Sequence, residues 1–119
     1  MCRRGDIYYV DFGKTTGSKQ GGIRPALIVS NNRANKNSPV ITVIPLTTKI
    51  RKKVYLPTHV RIRAAGLPRP SMALAEQVES LDKCSLKEKI GEVTDAAVME
   101  KVTAALQIQI GVFEKYNDI

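Results

Sequence analysis

The chain has 119 residues, of which 43% are hydrophobic, so it can bury a core in one domain covering residues 1–119. That composition excludes a disordered tail. The net charge of +8 is unevenly spread, because residues 1–63 hold 13 Lys and Arg against two acids (net +11), whereas residues 64–119 hold six against nine (net −3). We expect the basic half to form a surface that attracts a polyanion.

Membrane insertion, secretion and metal binding are not predicted. The longest apolar run, Val40–Leu46, is far too short for a membrane span. The N-terminal "MCRRGD" leads directly into a strand pattern without an apolar signal region, which predicts a cytoplasmic protein. Cys2 and Cys84 lie in unrelated contexts without closely spaced ligands, so plain thiols are favoured over a disulfide or a metal site.

The first part of the chain has the pattern of β-strands. Asp6–Phe12 alternates and predicts a strand, and the glycine-rich loop Gly13–Gly22 follows it. An apolar strand then starts at Arg24. Asn31–Pro39 is polar and turn-rich, with room for one short helical turn. Val40–Thr48 is rich in β-branched residues and is the strongest predicted strand.

Further strands are predicted beyond the basic stretch "KIRKKVYLP". One lies around "HVRIR" (His59–Arg63), and a turn follows at Gly66–Pro70. The segment Ser71–Leu81 reads as one or two strands that meet near Glu76.

Two helices are predicted in the last third. A short one covers Ser85–Lys89, and a longer amphipathic one starts at Asp95, where apolar residues such as Val98 and Val102 recur at spacings of three and four. The fold class is therefore mainly β with α additions. We predict a small SH3-like barrel of five to seven antiparallel strands, closed by the C-terminal helix.

One polar cluster could carry chemistry. It comprises the Gly13–Gly22 loop, Arg24 at the start of one strand, and Thr47 and Thr48 at the end of another. Pro25 holds the backbone of Arg24 extended, and a guanidinium matches the shape of a phosphate. On these local features alone, a surface ion pair explains Arg24 equally well. The basic run that starts at Lys49 favours phosphate contacts.

Several segments of the chain resemble one known family. "RGDIYYVDF", "GSKQGGIRPALIVSNN", "ITVIPLTTKI", "LPTHVRI", "LAEQVESLDK" and "ALQIQIG" are similar to the MazF/PemK toxins of bacterial toxin–antitoxin modules. The likeness runs from Arg4 to about Gly111. Its most specific parts are the glycine-rich loop leading into Arg24-Pro25 and the strand that ends in Thr47.

The resemblance implies a homodimeric toxin that cuts single-stranded RNA at short sequences without a metal or another cofactor. It implies that Arg24 and Thr47 form the catalytic pair and that the loop clamps RNA. A cognate antitoxin would occupy the same groove with a disordered, acidic C-terminal segment, and only the toxin–antitoxin complex would bind operator DNA. The RNA contacts that we expect on this basis are Ser18, Lys19, Gln20, Asn31, Lys49, Lys52, His59 and Gln77.

One position departs from the family pattern. Lys19 stands where the family commonly has an acidic residue before the loop glutamine. In the expected reaction the ribose 2′-hydroxyl attacks the adjacent phosphorus, Arg24 stabilises the developing charge, and Thr47 holds a phosphate oxygen. The proton acceptor stays open between His59, Glu76 and water.

Two other functions fit the same fold. A nucleic-acid-binding barrel without chemistry would explain Lys19. A gyrase-binding toxin that resembles CcdB would carry its target contact in the C-terminal tail, with a tryptophan near the end. This chain has no Trp and ends "FEKYNDI".

Overall fold

The computed structural model describes residues 1–14, 17, 21–50, 56–63 and 66–112. Within them the chain forms an antiparallel sheet with two α-helices, which confirms the predicted fold class. The strands are β1 (Asp6–Asp11), β2 (Ile23–Ile28), β3 (Val40–Thr47), β4 (His59–Ile62), β5 (Ser71–Leu74), β6 (Glu79–Asp82) and β7 (Leu86–Glu92). The helices are α1 (Asn32–Asn37) and α2 (Ala96–Gln109).

The long strand β3 organises the sheet. The strand order is β4-β5-β3-β2-β1-β7, and β6 also pairs with β3. The residues Val40–Val43 of β3 pair with β6, and its last two residues pair with β5. A 3-10 turn at Ala75–Gln77 separates β5 from β6, which confirms the predicted break near Glu76.

The C-terminal helix α2 covers one face of the sheet. Its N-cap is Asp95, whose Oδ1 accepts a hydrogen bond from the amide of Ala97 at 2.9 Å. Val102 and Ala105 are buried against the sheet, as the apolar period predicts, whereas Ile110 at the end of the helix is exposed. The residues of the strands and of the position after β2 that are buried with them are Ile7, Leu27, Val29, Ile44, Leu46, Val60, Ile62 and Ala73.

Arg4 connects the start of the chain to both helices. Its amide donates to Asn32 Oδ1 at 2.7 Å, and its Nη2 donates to Thr103 Oγ1 at 2.6 Å. Its Nη1 donates to the carbonyl of Val29. Arg4 therefore holds the N-terminus against α2 and the end of β2.

A second core lies on the other face of the sheet. Its buried members are Cys2, Val10, Phe12, Ala26, Ile28, Ile41 and Val43. Cys2 is a buried free thiol, and Cys84 is an exposed one. Among the described residues no three His, Cys, Asp or Glu side chains are close enough to hold a metal ion, and no helix is long and apolar enough to cross a membrane.

The prediction of a helix over Ser85–Lys89 is wrong. This segment enters β7, which pairs antiparallel with β1, and only the 3-10 turn Lys83–Ser85 precedes it. Lys89 Nζ lies 3.4 Å from Oδ1 of the buried Asp6, and the Asp6 carboxylate raises the pKa of Lys89 above its ordinary value. Strand pairing and this ion pair thus outweigh the helical propensity of a Leu-Lys-Glu-Lys sequence.

Gly66, in the β4–β5 connection, lies directly against the backbone of β7. Its φ is +94°, in the region that favours glycine. A Cβ at this position would lie 1.5 Å from the carbonyl oxygen of Ile90 and 3.0 Å from Cα of Gly91. Only a residue without a side chain fits between the two segments.

Candidate functional site

The base of the glycine-rich loop is closed by backbone hydrogen bonds. The amide of Phe12 donates to the carbonyl of Gly22 at 2.9 Å, and the amide of Gly22 donates to the carbonyl of Gly13 at 2.8 Å. Gly13 and Gly22 have φ values of +70° and +72°, which a side chain would strain. The loop therefore leaves β1 and rejoins β2 at a fixed pair of positions.

Arg24 lies directly after this closed base, exposed on β2. Its Nε donates to the carbonyl of Gly21 at 2.8 Å, and this is the only hydrogen bond of the Arg24 side chain within the described part of the chain. The bond uses one of the five N–H donors and orients the guanidinium. The terminal nitrogens thus have donors available for an anion.

The strand register brings Arg24 and Thr47 together. Ala26 pairs with Pro45 of β3, and the recorded pairs stop there, next to Pro25, which has no amide hydrogen. Continuing this register by two residues along each strand, we infer that Arg24 comes opposite Thr47, and opposite residues of antiparallel strands are about 4.5–5.5 Å apart at Cα. Opposite residues share a face, so both side chains point to the same side of the sheet.

The same line of opposite residues continues across the next two strands. Thr47 pairs with Met72 of β5, and Met72 pairs with Arg61 of β4. We call Arg24, Thr47, Met72 and Arg61 the site row. The two arginines are exposed, Thr47 is half-buried and Met72 is buried. The site row therefore has an exposed cation at each end and less exposed side chains, Thr47 and Met72, between them.

Thr47 ends β3 in a local turn. Its Oγ1 accepts a hydrogen bond from the amide of Lys49 at 3.1 Å, which fixes the hydroxyl near the start of the basic run. The side chains of Thr48 and Lys49 are exposed. Lys49 therefore adds a positive charge beside the site row, as the sequence predicts.

His59 and Glu76 form a hydrogen-bonded pair on the same face. His59 Nε2 lies 2.7 Å from Glu76 Oε2, and Thr58 Oγ1 donates to the other carboxylate oxygen at 2.9 Å. The His59 side chain is 13% exposed, and its Nδ1 is buried with no hydrogen-bond partner among the described residues. His59 is opposite Leu74, one line of residues away from the site row.

Asn31 and Gln77 are not members of the site row. Asn31 follows the far end of β2 from Arg24, and its Oδ1 caps α1 by accepting from the amide of Ala34 at 2.8 Å. Gln77 is half-buried in the 3-10 turn that carries Glu76. The structure thus gives Asn31 a capping role and puts Gln77 beside the His59–Glu76 pair.

Four of the sequence-predicted RNA contacts lie outside the described residues: Ser18, Lys19, Gln20 and Lys52. The structure brings together Arg24, Thr47 and Lys49 and sets the His59–Glu76 pair nearby on the same face. Arg61 also lies in the site row, and sequence reasoning did not single it out. The alternation of "HVRIR" contained a signal, since it puts His59 and Arg61 on one face of a strand.

The chain matches one protein family over most of its length. Residues 3–110 match the family described as PemK-like, MazF-like toxin of type II toxin–antitoxin system. The chain is 41% identical over 116 residues to endoribonuclease EndoA of Bacillus subtilis, covering 96% of this chain and 98% of that protein. It is 42% identical over 113 residues to endoribonuclease MazF of Staphylococcus saprophyticus, covering 93% and 92%.

Solved structures with the same fold carry related descriptions. One is an endoribonuclease in complex with its cognate antitoxin from a mycobacterial species, at 33% identity and a TM-score of 0.77, covering 95% of this chain and 98% of that one. Another is MazF from Deinococcus radiodurans, at 31% identity and a TM-score of 0.76, covering 92% and 96%.

Proposed function

We propose that this chain, which belongs to the PemK-like, MazF-like family of type II toxins and is an endoribonuclease toxin, cuts single-stranded RNA. In this proposal Arg24 and Thr47 are the catalytic residues. The observation that carries this proposal is the register of β2 against β3. Continued to the ends of both strands, this register puts an exposed guanidinium and a threonine hydroxyl on one face of the sheet, next to the closed base of the loop.

Arg24 stabilises the charge that develops on the phosphate. Its Nε is held by Gly21, so the remaining N–H groups are oriented before substrate arrives. A preorganised donor of this kind contributes about 2.7–4 kcal/mol to transition-state stabilisation. A guanidinium has N–H donors and no acceptor, so Arg24 acts as an electrostatic clamp and as the proton donor to the leaving 5′-oxygen, and not as the base. Solvent water returns the donated proton to Arg24.

Thr47 holds the phosphate for in-line attack by the neighbouring 2′-hydroxyl. Its hydroxyl is anchored by the Lys49 amide and donates its own hydrogen to a non-bridging oxygen. The products are a 2′,3′-cyclic phosphate and a 5′-hydroxyl. No metal ion takes part in these steps.

Water accepts the 2′-hydroxyl proton in this scheme. Of the other two acceptors that the sequence suggests, His59 lies two strands and one line of residues from Thr47, about 12 Å between Cα atoms at ordinary sheet spacings. Glu76 is engaged by His59 and Thr58. The His59–Glu76 pair is therefore better suited to shaping the groove for an adjacent nucleotide.

The surroundings of the site suit a flexible polyanion. Bases of single-stranded RNA can be splayed out and read individually, and the basic first half of the chain attracts the backbone. We propose that a cognate antitoxin neutralises this cytoplasmic toxin by inserting an acidic segment into the same groove, and that the toxin is a homodimer. The relatives favour this function over a non-catalytic barrel or a CcdB-like gyrase-binding toxin.

Cleavage of a long RNA by purified protein in EDTA tests the activity and its metal independence together. We expect fragments with defined ends that carry 2′,3′-cyclic phosphates. Arg24→Ala should lower kcat by about 10²–10³-fold, and Arg33→Ala, which removes an exposed cation on α1, should not change it. An Arg24→Ala protein that cuts at the parental rate would refute the proposal.

A substrate change tests the nucleophile separately. Once the cleaved bond is mapped, a single deoxyribose on its 5′ side should abolish cutting while binding stays nearly unchanged. Cleavage of that oligonucleotide would exclude attack by the 2′-hydroxyl.

A further inference from the structure

The edge strand β4 and the residue that follows it carry two arginines that the proposed catalytic site does not use. Arg61 is exposed between the buried residues Val60 and Ile62, and the exposed Arg63 follows directly after the strand. Neither side chain has a hydrogen bond or an ion pair within the part of the chain that the structure describes. Two guanidiniums are thus presented to solvent at one end of the sheet.

The register aligns Arg61 with the catalytic pair. Arg61 is opposite Met72, which is opposite Thr47, so its side chain stands on the face that Arg24 and Thr47 share. Strands are spaced by about 4.8 Å, so Arg61 lies about 10 Å from Thr47 and about 14 Å from Arg24 between Cα atoms. Side chains stand roughly perpendicular to a sheet, so the two guanidiniums are too far apart to hold one phosphate.

We infer that Arg61 binds a second phosphate of the RNA, neighbouring the one that is cleaved. This inference rests on the proposed function. A single strand laid along the site row would meet a cation at Arg24, an apolar floor at Met72, and a cation at Arg61. Phosphate contacts fix the register of a nucleic acid on a protein, so Arg61 acts as a positioning residue for the chain that runs over β5.

A contact away from the reacting atoms binds substrate and transition state equally. Its loss raises KM and leaves kcat unchanged. It also removes one counterion-releasing contact, so the slope of log(kcat/KM) against log[salt] falls by about 0.7 for single strands. These two effects separate Arg61 from Arg24, whose loss lowers kcat.

Steady-state cleavage of a single-stranded RNA at several KCl concentrations tests the inference. We expect Arg61→Ala to raise KM about three- to tenfold at low salt and to flatten the salt slope, while Arg61→Lys keeps most of the slope. Lys101→Ala is the matched control, because it removes one exposed charge from α2 on the opposite side of the sheet. Circular dichroism of each variant confirms folding.

Arginines on an edge strand can also serve only to prevent edge-to-edge aggregation. In that case Arg61→Ala would match Lys101→Ala in KM and in salt slope, and the inference would be overturned. Loss of kcat in Arg61→Ala would overturn it as well. An unchanged Arg24→Ala enzyme would instead refute the catalytic assignment.

Neutral phosphates identify the contact on the RNA side. Single methylphosphonates are placed in turn at each phosphate flanking the mapped bond. We expect one position, beside but not at the cleaved phosphate, where the methylphosphonate lowers kcat/KM of the wild-type enzyme by the same factor as Arg61→Ala does. At that position the methylphosphonate should not lower kcat/KM of the Arg61→Ala variant any further. If the methylphosphonate and Arg61→Ala lower kcat/KM by independent factors that multiply at every position, a direct contact between Arg61 and a phosphate is contradicted.

Discussion

Gly66→Ala is expected to be the most destabilising single-methyl change available in the turns of this protein. The added Cβ would lie 1.5 Å from the carbonyl oxygen of Ile90 and 2.6 Å from its carbonyl carbon. Both are backbone atoms of β7, which is paired with β1 and cannot move aside as a flexible side chain would. Either the β4–β5 connection or β7 must therefore shift by on the order of 1 Å or more.

The cost has two parts. A positive φ costs an alanine about 1–2 kcal/mol relative to glycine, and forcing a methyl into a filled space costs about 1–3 kcal/mol. Unfolding entropy of about 2.1 cal/mol/K per residue means that each 1 kcal/mol lowers Tm by about 4 °C for a chain of this size. The sum predicts a fall in Tm of about 8–20 °C.

Gly13→Ala isolates the first part of the cost. Gly13 also has a positive φ, +70°, but apart from its chain neighbours no heavy atom of the described residues lies within 4 Å of the position that a Cβ would take. Thermal unfolding followed by circular dichroism should therefore show a fall of about 4–8 °C for Gly13→Ala and a clearly larger one for Gly66→Ala. Equal Tm values for the two variants would refute the argument that Gly66 is required by the contact with β7.

Three other changes probe side-chain contacts in different parts of the fold. Glu76→Ala leaves the donors of Thr58 and His59 without their acceptor, so urea unfolding should show a loss of about 2–4 kcal/mol, and a loss below 1 kcal/mol would contradict that pairing. Arg4→Ala should cost about 1–3 kcal/mol in the same assay, whereas the exposed Arg3→Ala should cost almost nothing. Asp6 raises the pKa of Lys89 above its ordinary value of 10.5. The contribution of the Lys89–Asp6 ion pair to the stability of the fold is therefore present below pH 10.5 and is lost as pH rises through the raised pKa. The urea midpoints of wild type and Lys89→Met should therefore differ near neutral pH and converge in strong alkali, and a gap that persists there would exclude the ion pair as its cause.

Local pattern was sufficient for the elements that carry a strong period of their own. The alternation in β1, the β-branched run of β3 and the spacing of three and four in α2 each predicted the observed element within one or two residues. The helix predicted over Ser85–Lys89 failed because its local preference competes with an open strand edge. That edge belongs to β1, nearly 80 residues earlier in the chain, and no local period records it.

The candidate site was predictable in its residue types and not in its geometry. Pro25 and the glycines singled out Arg24 from neighbouring residues alone. Its position opposite Thr47, and the extension of that line to Arg61, depend on strand registers that pair residues far apart in sequence. The His59–Glu76 pair likewise joins residues 17 positions apart, which no spacing rule connects.

The hydrogen bonds beneath the glycine-rich loop fix the positions at which it leaves β1 and rejoins β2. Phe12, Gly13 and Gly22 hold these ends through main-chain groups, and the Asp11 carboxylate accepts a further hydrogen bond from the amide of Gly13 at 2.8 Å. Because the RNA contacts that we expect in the loop lie between these two ends, substitutions there should change which transcripts are attacked while Arg24 keeps its place. Exchanging that segment between homologues is therefore expected to alter target choice without rebuilding the proposed catalytic site.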